Sequence, residues 1–240
     1  MPIQNFTARV ADSTLLTDKF HYLHLELIEP KRIVFTAGQY ILLSVPGTEQ
    51  KKSYSIASSP EMDHAIELLI DMSPLGVGTT YINNLKLGDV VQFAAPSGQF
   101  AIAQPGTPIG DSEKALVFIA TGSGITPVKS MILDQLQTRK DVRKIILHWG
   151  LRLESDLCWL DEFEELARAF PNFQFHPVLS KAEAEWPLCR GRVTDCFEIH
   201  PMVPEAGYYL CGNKQMIDDV QKFLLQKGVS NDRIHHEKFY

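Results

Sequence analysis

The pattern of hydrophobic and polar positions changes character near residue 105. Between residues 6 and 102, short alternating or apolar runs are separated by turn residues; Leu23, Leu25 and Leu27, for example, alternate with polar side chains. Alternation with a period of two is typical of antiparallel strands that bury one face. Further strands are predicted at 40–45, 53–57, 66–70 and 90–93. The pattern of this half therefore predicts an antiparallel β-barrel or sandwich.

The second half alternates apolar strands with helical segments, after a connection at 103–114 that is rich in proline and glycine. Such alternation is typical of a parallel sheet covered by helices. One helix is predicted to begin at Val128, and Gly228 is expected to end the last one. Strands are predicted at 115–120, 144–149, 173–179 and 208–211. At 240 residues the chain has room for two domains, which we place at residues 1–108 and 109–240.

Charge, hydropathy and cysteine spacing exclude several classes of protein. The formal net charge of −6 argues against a general nucleic-acid-binding surface. The longest apolar runs are too short to span a bilayer, and the N-terminus lacks a targeting pattern, so we expect a cytoplasmic protein without a membrane contact. The four cysteines lack the close spacing of an iron–sulfur cluster or a structural zinc site. We therefore expect no metal, and thiols in a reducing compartment rather than disulfides.

A glycine-rich turn follows the predicted strand at 115–120. Gly122 and Gly124 permit a backbone close to a bound phosphate, and Thr126 and Pro127 lie where the next helix is expected to start. The free N–H groups and the positive dipole end of that helix attract an anion. No third glycine completes the dinucleotide fingerprint, and a tight connection without a ligand is the alternative.

The carboxyl ends of the predicted parallel strands form a second group of candidates, because ligands of open parallel sheets collect at that edge. Four strand ends are expected there: Gly122–Thr126, Gly150–Arg152, Ser180 with Lys181, and Cys211–Asn213.

The first half carries cations, a ring and hydroxyls along one predicted strand. Lys52, Ser53, Tyr54 and Ser55 follow one another there. A tyrosine face can stack on a planar heterocycle, while hydroxyls and a cation can hold its polar edge and a phosphate. An edge strand with solvated lysines is the alternative.

Several segments, in this order and at these separations, resemble the ferredoxin-NADP reductase family of flavoproteins. They are residues 35–40, Tyr54-Ser55 with Ser58, residues 78–81, Gly122-x-Gly124-x-x-Pro127, and Cys211-Gly212. The resemblance covers nearly the whole chain. It implies an antiparallel Greek-key β-barrel that binds FAD, followed by a Rossmann-like α/β domain that binds NADPH, with NADH as the other possibility.

The resemblance also implies roles for individual residues. Tyr54 would stack on the flavin ring, Ser55 would hydrogen-bond near the atom that receives hydride, and Cys211 would lie beside the nicotinamide, where its thiol packs rather than reacts. A buried strand-end cysteine is the alternative for Cys211. Further cofactor contacts are implied for Lys52, Ser53, Ile70, Gly78, Thr79, Thr80, Thr126 and Gly212.

At the C-terminus, the resemblance implies that Tyr240 covers the flavin until nicotinamide displaces it, a frayed terminal residue being the alternative. Glu237 is expected to support proton movement or to orient the serine. For the 2′-phosphate of NADPH, candidate groups are Arg152, Ser180, Lys181, Arg190 and Arg192, with ordinary surface charge as the alternative.

Two positions depart from the family pattern. Lys52 stands where an arginine is expected, which keeps the charge and loses the bidentate fork, and Asp71 stands where many relatives carry a basic residue. Both departures leave open whether the flavin stays bound between turnovers.

The predicted function is that of an enzyme that transfers hydride between NADPH and FAD and single electrons to or from a ferredoxin or flavodoxin. The alternatives are an NAD(P)H-dependent flavin reductase, including the flavin reductase component of an oxygenase, and a flavin-binding sensor without turnover.

Overall fold

The structure is a computed structural model that describes residues 2–73 and 75–239. Its contacts divide the chain into two compact units. The first comprises Met1–Ala101 with Lys129–Arg139, and the second comprises Ile102–Val128 with Lys140–Tyr240. The domain boundary predicted between residues 108 and 109 stays a prediction.

The first unit contains a six-stranded antiparallel sheet. Its strands are β1 Gln4–Leu15, β2 Phe20–Glu29, β3 Tyr40–Ser44, β4 Lys51–Ser55, β5 Ala65–Asp71 and β6 Val90–Ser97. They lie in the order β4-β3-β6-β1-β2-β5. The backbone N–H of Ala57 donates to the carbonyl of Glu67 at 2.8 Å, which brings the chain after β4 back to β5. Alternate residues point inward into a core that includes Phe6, Leu23 and Phe93, as the period-two pattern predicts.

The second unit contains a six-stranded parallel sheet of the Rossmann-like kind. Its strands are β7 Ala115–Thr121, β8 Lys144–Leu151, β9 Phe173–Leu179, β10 Cys189–Arg190, β11 Ala206–Asn213 and β12 Ile234–Phe239. They lie in the order β10-β9-β8-β7-β11-β12. Strands β7 and β8 are buried along almost their whole length, which explains their continuous apolar runs. The predicted fold class, an antiparallel barrel-like sheet followed by a parallel α/β sheet, is confirmed.

Six α-helices are present in the described part of the chain: α1 Val77–Asn83, α2 Pro108–Ser112, α3 Ile125–Leu133, α4 Leu160–Ala169, α5 Val193–Ile199 and α6 Lys214–Gln226. Helix α3 begins three residues before the predicted Val128, because Gly122–Gly124 forms a 3-10 turn that leads directly into it. Helix α6 ends before Gly228, whose φ of +84° suits glycine, as predicted. No helix among residues 2–73 and 75–239 is long and apolar enough to cross a membrane.

The cysteines depart from the expectation. Cys189 and Cys196 form a disulfide with a Cα–Cα distance of 5.5 Å. The chain reverses between them at Gly191, whose φ is +86°, so a pair seven residues apart in sequence becomes adjacent in space. The expectation of unpaired thiols is therefore wrong for these two residues.

A buried polar network links the edge strand of the second sheet to the strand beside it. Glu113, which is 1% exposed, accepts a hydrogen bond from the Tyr209 hydroxyl at 2.7 Å and lies 2.9 Å from Nε2 of His235. Tyr209 and His235 also stack, with ring centroids 4.6 Å apart. Since Tyr209 lies on β11 and His235 on β12, the carboxylate binds two neighbouring strands at once.

Candidate functional site

In the first unit, strand β4 divides its side chains between two faces. Lys52 and Tyr54 are half-buried on one face, while Ser53 is exposed and Ser55 is buried on the other. Tyr54 packs against the barrel core, and burial raises the pKa of its phenol to about 12, so the phenol is neutral at physiological pH. The strand thus presents a half-buried ring and a cation side by side, as the sequence predicts.

Gly78 brings helix α1 against that same face of β4. A Cβ added at Gly78 would lie 2.5 Å from the Tyr54 hydroxyl and 2.8 Å from Cγ of Lys52, so glycine is required for this approach. The first turn of α1 carries Thr79, whose hydroxyl donates to the Gly76 carbonyl at 3.1 Å, and the exposed Thr80. Backbone N–H groups at such a turn have no intrahelical acceptor. A ring, a cation and a glycine-lined helix start therefore lie together and fit a flavin and its phosphate.

The side chains of three other residues considered in the first unit make contacts that stabilise the fold. The Ile70 side chain is 2% exposed and belongs to the barrel core, so only its backbone can face a ligand. The Ser58 hydroxyl accepts from the Glu67 backbone N–H at 3.2 Å. Asp71 pairs with Lys19 at 3.5 Å, which accounts for the acidic residue at this strand end.

Sequence reasoning missed a buried ion pair in this unit. Lys129, whose side chain is 5% exposed, lies 3.4 Å from Glu67, which also accepts from the Tyr22 hydroxyl at 2.9 Å. Next to it, the Ser130 hydroxyl donates to the Ser58 carbonyl at 2.6 Å. These bonds fix the chain just after the β4 motif. The available signal was a single glutamate within the otherwise apolar run of β5.

In the second unit, the two glycine motifs pack directly on each other. A Cβ at Gly124 would lie 2.6 Å from the carbonyl carbon of Cys211 and 2.8 Å from Cα of Gly212. Gly212 has a φ of +145°, and a Cβ there would meet the side chain and backbone of Thr121. The ends of β7 and β11 thus form one surface at the carboxyl edge of the sheet, where parallel sheets bind ligands.

The glycine turn itself is held by side chains. Trp149 donates through Nε1 to the Gly122 carbonyl at 3.0 Å, and Gly122 has a φ of +56°. The Thr126 hydroxyl, which is buried, donates to the Ser123 carbonyl at 2.7 Å. The Thr126 side chain therefore stabilises the turn.

Cys211 and Glu237 lie opposite each other on the paired strands β11 and β12. Burial, with a smaller contribution from the charge of Glu237, raises the pKa of the Cys211 thiol well above its usual range. Burial alone raises the pKa of Glu237 to about 7, and its Oε2 is a buried atom with no hydrogen-bond partner among the described residues. The thiol is therefore neutral, as expected of a packing group, while the carboxyl can hold or release a proton near neutral pH.

The five candidates for the 2′-phosphate fall into two groups. Arg152, Ser180 and Lys181 are exposed at the adjacent ends of β8 and β9, where the Lys181 N–H donates to the Arg152 carbonyl at 2.9 Å. Arg190 donates to two loop carbonyls at 2.6 and 2.7 Å, and Arg192 pairs with Asp219 at 3.0 Å. Tyr240, the predicted lid, lies outside the described residues.

Comparison with known proteins identifies the family. An oxidoreductase FAD-binding domain matches residues 7–102, and an oxidoreductase NAD-binding domain matches residues 118–222. The chain is 35% identical to the reductase component of a phenol 2-monooxygenase from Pseudomonas sp. (strain CF600), over 100% of this chain and 67% of that protein. It is 30% identical to ferredoxin–NADP reductase B of Sorangium cellulosum, over 98% of this chain and 97% of that protein. The chain belongs to the ferredoxin-NADP reductase family.

Membership confirms that the enzyme is a flavin-dependent NAD(P)H oxidoreductase with FAD and a nicotinamide nucleotide as its cofactors. A solved cytochrome P450 reductase from Amycolatopsis, 32% identical, has a TM-score of 0.90 and is matched over 99% of this chain and 70% of that one. The chain spans about two thirds of the length of the oxygenase reductases that it matches. In this family member, the individual roles of the candidate residues stay predictions.

Proposed function

We propose that this chain takes hydride from NADPH onto FAD and delivers electrons singly to a ferredoxin, a flavodoxin or a similar electron-transfer protein. The observation that carries the proposal is the packing of Gly124 on Cys211-Gly212, which joins both nucleotide motifs in one surface of the second unit. In the first unit, the Lys52, Tyr54 and Gly78 cluster supports the proposal as the candidate flavin surface.

Each residue of the flavin surface has a definite task. Tyr54 stacks its half-buried ring on the flavin, and Lys52 neutralises a phosphate charge. Ser55, which is buried on the opposite face of β4, would donate a hydrogen bond to the ring near the atom that receives hydride. Bound flavin supplies the conversion between two-electron and one-electron transfer.

On the nucleotide surface, Cys211 provides a small neutral side chain that permits close approach of the nicotinamide. Glu237 is the proton-holding group, because its pKa of about 7 allows both protonation states at physiological pH. We assign the preference for NADPH to Lys181, Ser180 and Arg152. Arg190 and Arg192 are less available, because their side chains already hydrogen-bond or pair with other groups of this chain.

A second candidate is the reductase component of an oxygenase, which is favoured by the 35% identity to the phenol 2-monooxygenase reductase. The hydride step is the same, and only the acceptor differs. Two further alternatives have different outcomes in solution: a flavin reductase releases reduced flavin, and a flavin-binding sensor binds flavin without oxidising NAD(P)H.

The decisive experiment is anaerobic mixing of the purified protein with NADPH and, separately, with NADH, while the flavin absorbance is followed. We expect a yellow protein with one FAD per chain whose absorbance bleaches faster with NADPH. A colourless protein that oxidises NADPH only when free flavin is added would favour the flavin reductase. Flavin binding with no bleaching by either nucleotide would favour the sensor.

The nucleotide preference has its own test. Lys181→Ala is expected to lower kcat/KM for NADPH about tenfold and to leave NADH unchanged, because the lost group faces only the 2′-phosphate. Lys31→Ala, an exposed lysine of the other unit, is the control. An equal loss with both nucleotides would contradict the assignment.

The acceptor is identified by supplying reduced enzyme with a ferredoxin, a flavodoxin, or the terminal component of an aromatic-ring oxygenase. Saturable one-electron transfer to either of the first two supports the leading proposal. Transfer to the oxygenase component alone supports the second candidate.

A further inference from the structure

Two sulfurs and an imidazole converge at the β10–α5 corner of the second unit, away from the glycine motifs in sequence. Cys189 lies on β10, Cys196 on α5, and His200 directly after α5. Their sulfur and ring-nitrogen atoms all lie within 4.8 Å of one another. The flavin and nucleotide chemistry proposed above uses none of these three side chains.

The fold holds this cluster in place without a ligand. The Arg192 backbone N–H donates to the Asp195 carboxylate at 2.7 Å, which fixes the turn between β10 and α5. Cys196 and His200 are four residues apart and share a helix face, and the His200 N–H donates to the Cys196 carbonyl at 2.8 Å. Hydrogen bonds that do not involve the two sulfurs or the imidazole therefore hold the backbone of these three residues in position.

The surroundings are rich in imidazole and have an open side. His200 stacks on His176, with ring centroids 3.6 Å apart, and both rings lie near the buried His148. Cys189 and Cys196 are buried, whereas His200 is half-exposed and gives access from solvent. Thiolate and imidazole are the ligands that zinc prefers, and three protein ligands leave a fourth position for water.

We propose that the reduced Cys189–Cys196 pair and His200 bind one zinc ion, and that the disulfide is the metal-free form of the same site. A dithiol or phosphine reductant supplies two electrons and becomes oxidised, the Sγ–Sγ bond breaks, and two protons complete the thiols. Zinc then replaces both thiol protons, which are released to solvent, and takes the imidazole nitrogen as its third ligand. A small-molecule disulfide reverses the sequence: it takes two electrons from the two zinc-bound thiolates and two protons from solvent, leaves as two thiols, the Sγ–Sγ bond re-forms, and the zinc ion is released.

The Cα–Cα distance of 5.5 Å allows both states. It lies within the usual range of about 4.4–6.8 Å for a disulfide. Rotation about the Cα–Cβ bonds separates the two sulfurs enough to bind one ion at about 2.3 Å each, with no change in the backbone. Only the reduced cysteines can ligate zinc as thiolates. The oxidised protein, which has the same sequence, therefore serves as the negative control for zinc binding.

The test titrates zinc into the reduced, chelator-treated protein in competition with a chromophoric chelator. We expect one zinc per chain, and no binding to the same protein after oxidation. Cobalt added in place of zinc is expected to give absorption bands in the red, beyond the flavin absorption. Proton release on metal addition is a further measure of thiolate ligation.

Variants separate the proposed ligands from other groups. Cys196→Ser and His200→Gln are expected to weaken zinc binding at least tenfold, whereas Cys158→Ser, at a cysteine outside the disulfide, is expected to leave it unchanged. Thermal melts of the oxidised and reduced wild type establish that both are folded. Equal zinc binding by oxidised and reduced protein, or unchanged binding by His200→Gln, would overturn the proposal.

Discussion

The nucleotide-binding half and the flavin-binding half of the chain use glycine in different ways at their candidate surfaces. In the nucleotide-binding unit, the atoms that face Gly124 belong to the backbone of Cys211 and Gly212. In the flavin-binding unit, the atoms that face Gly78 are side-chain atoms of Tyr54 and Lys52. Backbone atoms cannot give way without moving strand β11, which is paired on both sides, whereas a side chain can rotate. The nucleotide half is therefore rigid at Gly124, and the flavin half is adjustable at Gly78.

The largest expected effect follows from the rigid half. Gly124→Ala places a methyl group against the strand backbone of β11, and we expect a loss of about 3 kcal/mol in the free energy of unfolding, with loss of NADPH-dependent flavin bleaching. Urea unfolding and the bleaching assay measure the two effects.

Gly122→Ala is the matched control for this change. Apart from its chain neighbours, no atom of the described residues lies within 4 Å of its added Cβ; the φ of +56° opposes the change, so we expect a cost of about 1 kcal/mol. Equal costs at the two positions would contradict the interpretation that the backbone facing Gly124 cannot give way.

A smaller effect, which a second substitution can partly restore, is expected at Gly78 in the flavin half. Gly78→Ala pushes the Tyr54 hydroxyl aside, and we expect a loss of about 1 kcal/mol in unfolding free energy and weaker FAD binding. Adding Tyr54→Phe removes the clashing oxygen and is expected to restore part of both. A double-mutant cycle measures this coupling, and purely additive effects would break the contrast with Gly124.

The buried carboxyl of Glu237, in the nucleotide half, is expected to make the free energy of unfolding depend on pH. The pKa of Glu237 is raised by burial from 4.5 to about 7 in the folded protein, so its contribution to stability is complete below about pH 4.5 and is lost as the pH rises through 7. Glu237→Gln lacks this contribution. The stability of wild type relative to the variant is therefore expected to fall, on the order of 1 kcal/mol, between pH 5 and pH 8.

Urea unfolding at both pH values measures that difference, with the exposed Glu198→Gln as the control. If wild type and Glu237→Gln lose stability in parallel, the carboxyl is not desolvated in the manner that the burial of its Oε2 atom indicates.

The smallest expected effect is at Lys52. Lys52→Arg supplies the bidentate fork found at the corresponding position of the family motif, and we expect FAD to bind about threefold more tightly, or roughly 0.6 kcal/mol. Flavin retention on gel filtration and a fluorescence titration measure this gain, and Lys52→Met should reverse it. If both variants bind FAD with unchanged affinity, Lys52 does not contact the flavin phosphate.

The sequence predicted both sheets because their patterns are local. Alternation in β2 and continuous apolar runs in β7 and β8 each follow from which faces of a strand are buried. The glycine turn at Gly122 was predicted for the same reason, since a strand, a turn and a helix follow one another along the chain.

Features that depend on how the chain turns, or on segments distant in sequence, were not predictable in this way. The disulfide of Cys189 requires knowledge of how the chain reverses at Gly191, and the Lys129–Glu67 pair joins residues 62 positions apart. Propensity and periodicity describe one element at a time and carry no information on which polar side chains meet inside a core.

The bond between Glu113 and His235 has a consequence for the neighbouring acid. His235 and Glu237 are two residues apart on β12, so they point to the same face of the sheet. A slip of this edge strand by one position would turn Glu237 to the opposite face. The bond from Glu113 to His235 thus helps to set the register of β12. Loss of Glu113 would therefore change the direction of the Glu237 carboxyl, although the two residues are not in contact through this bond.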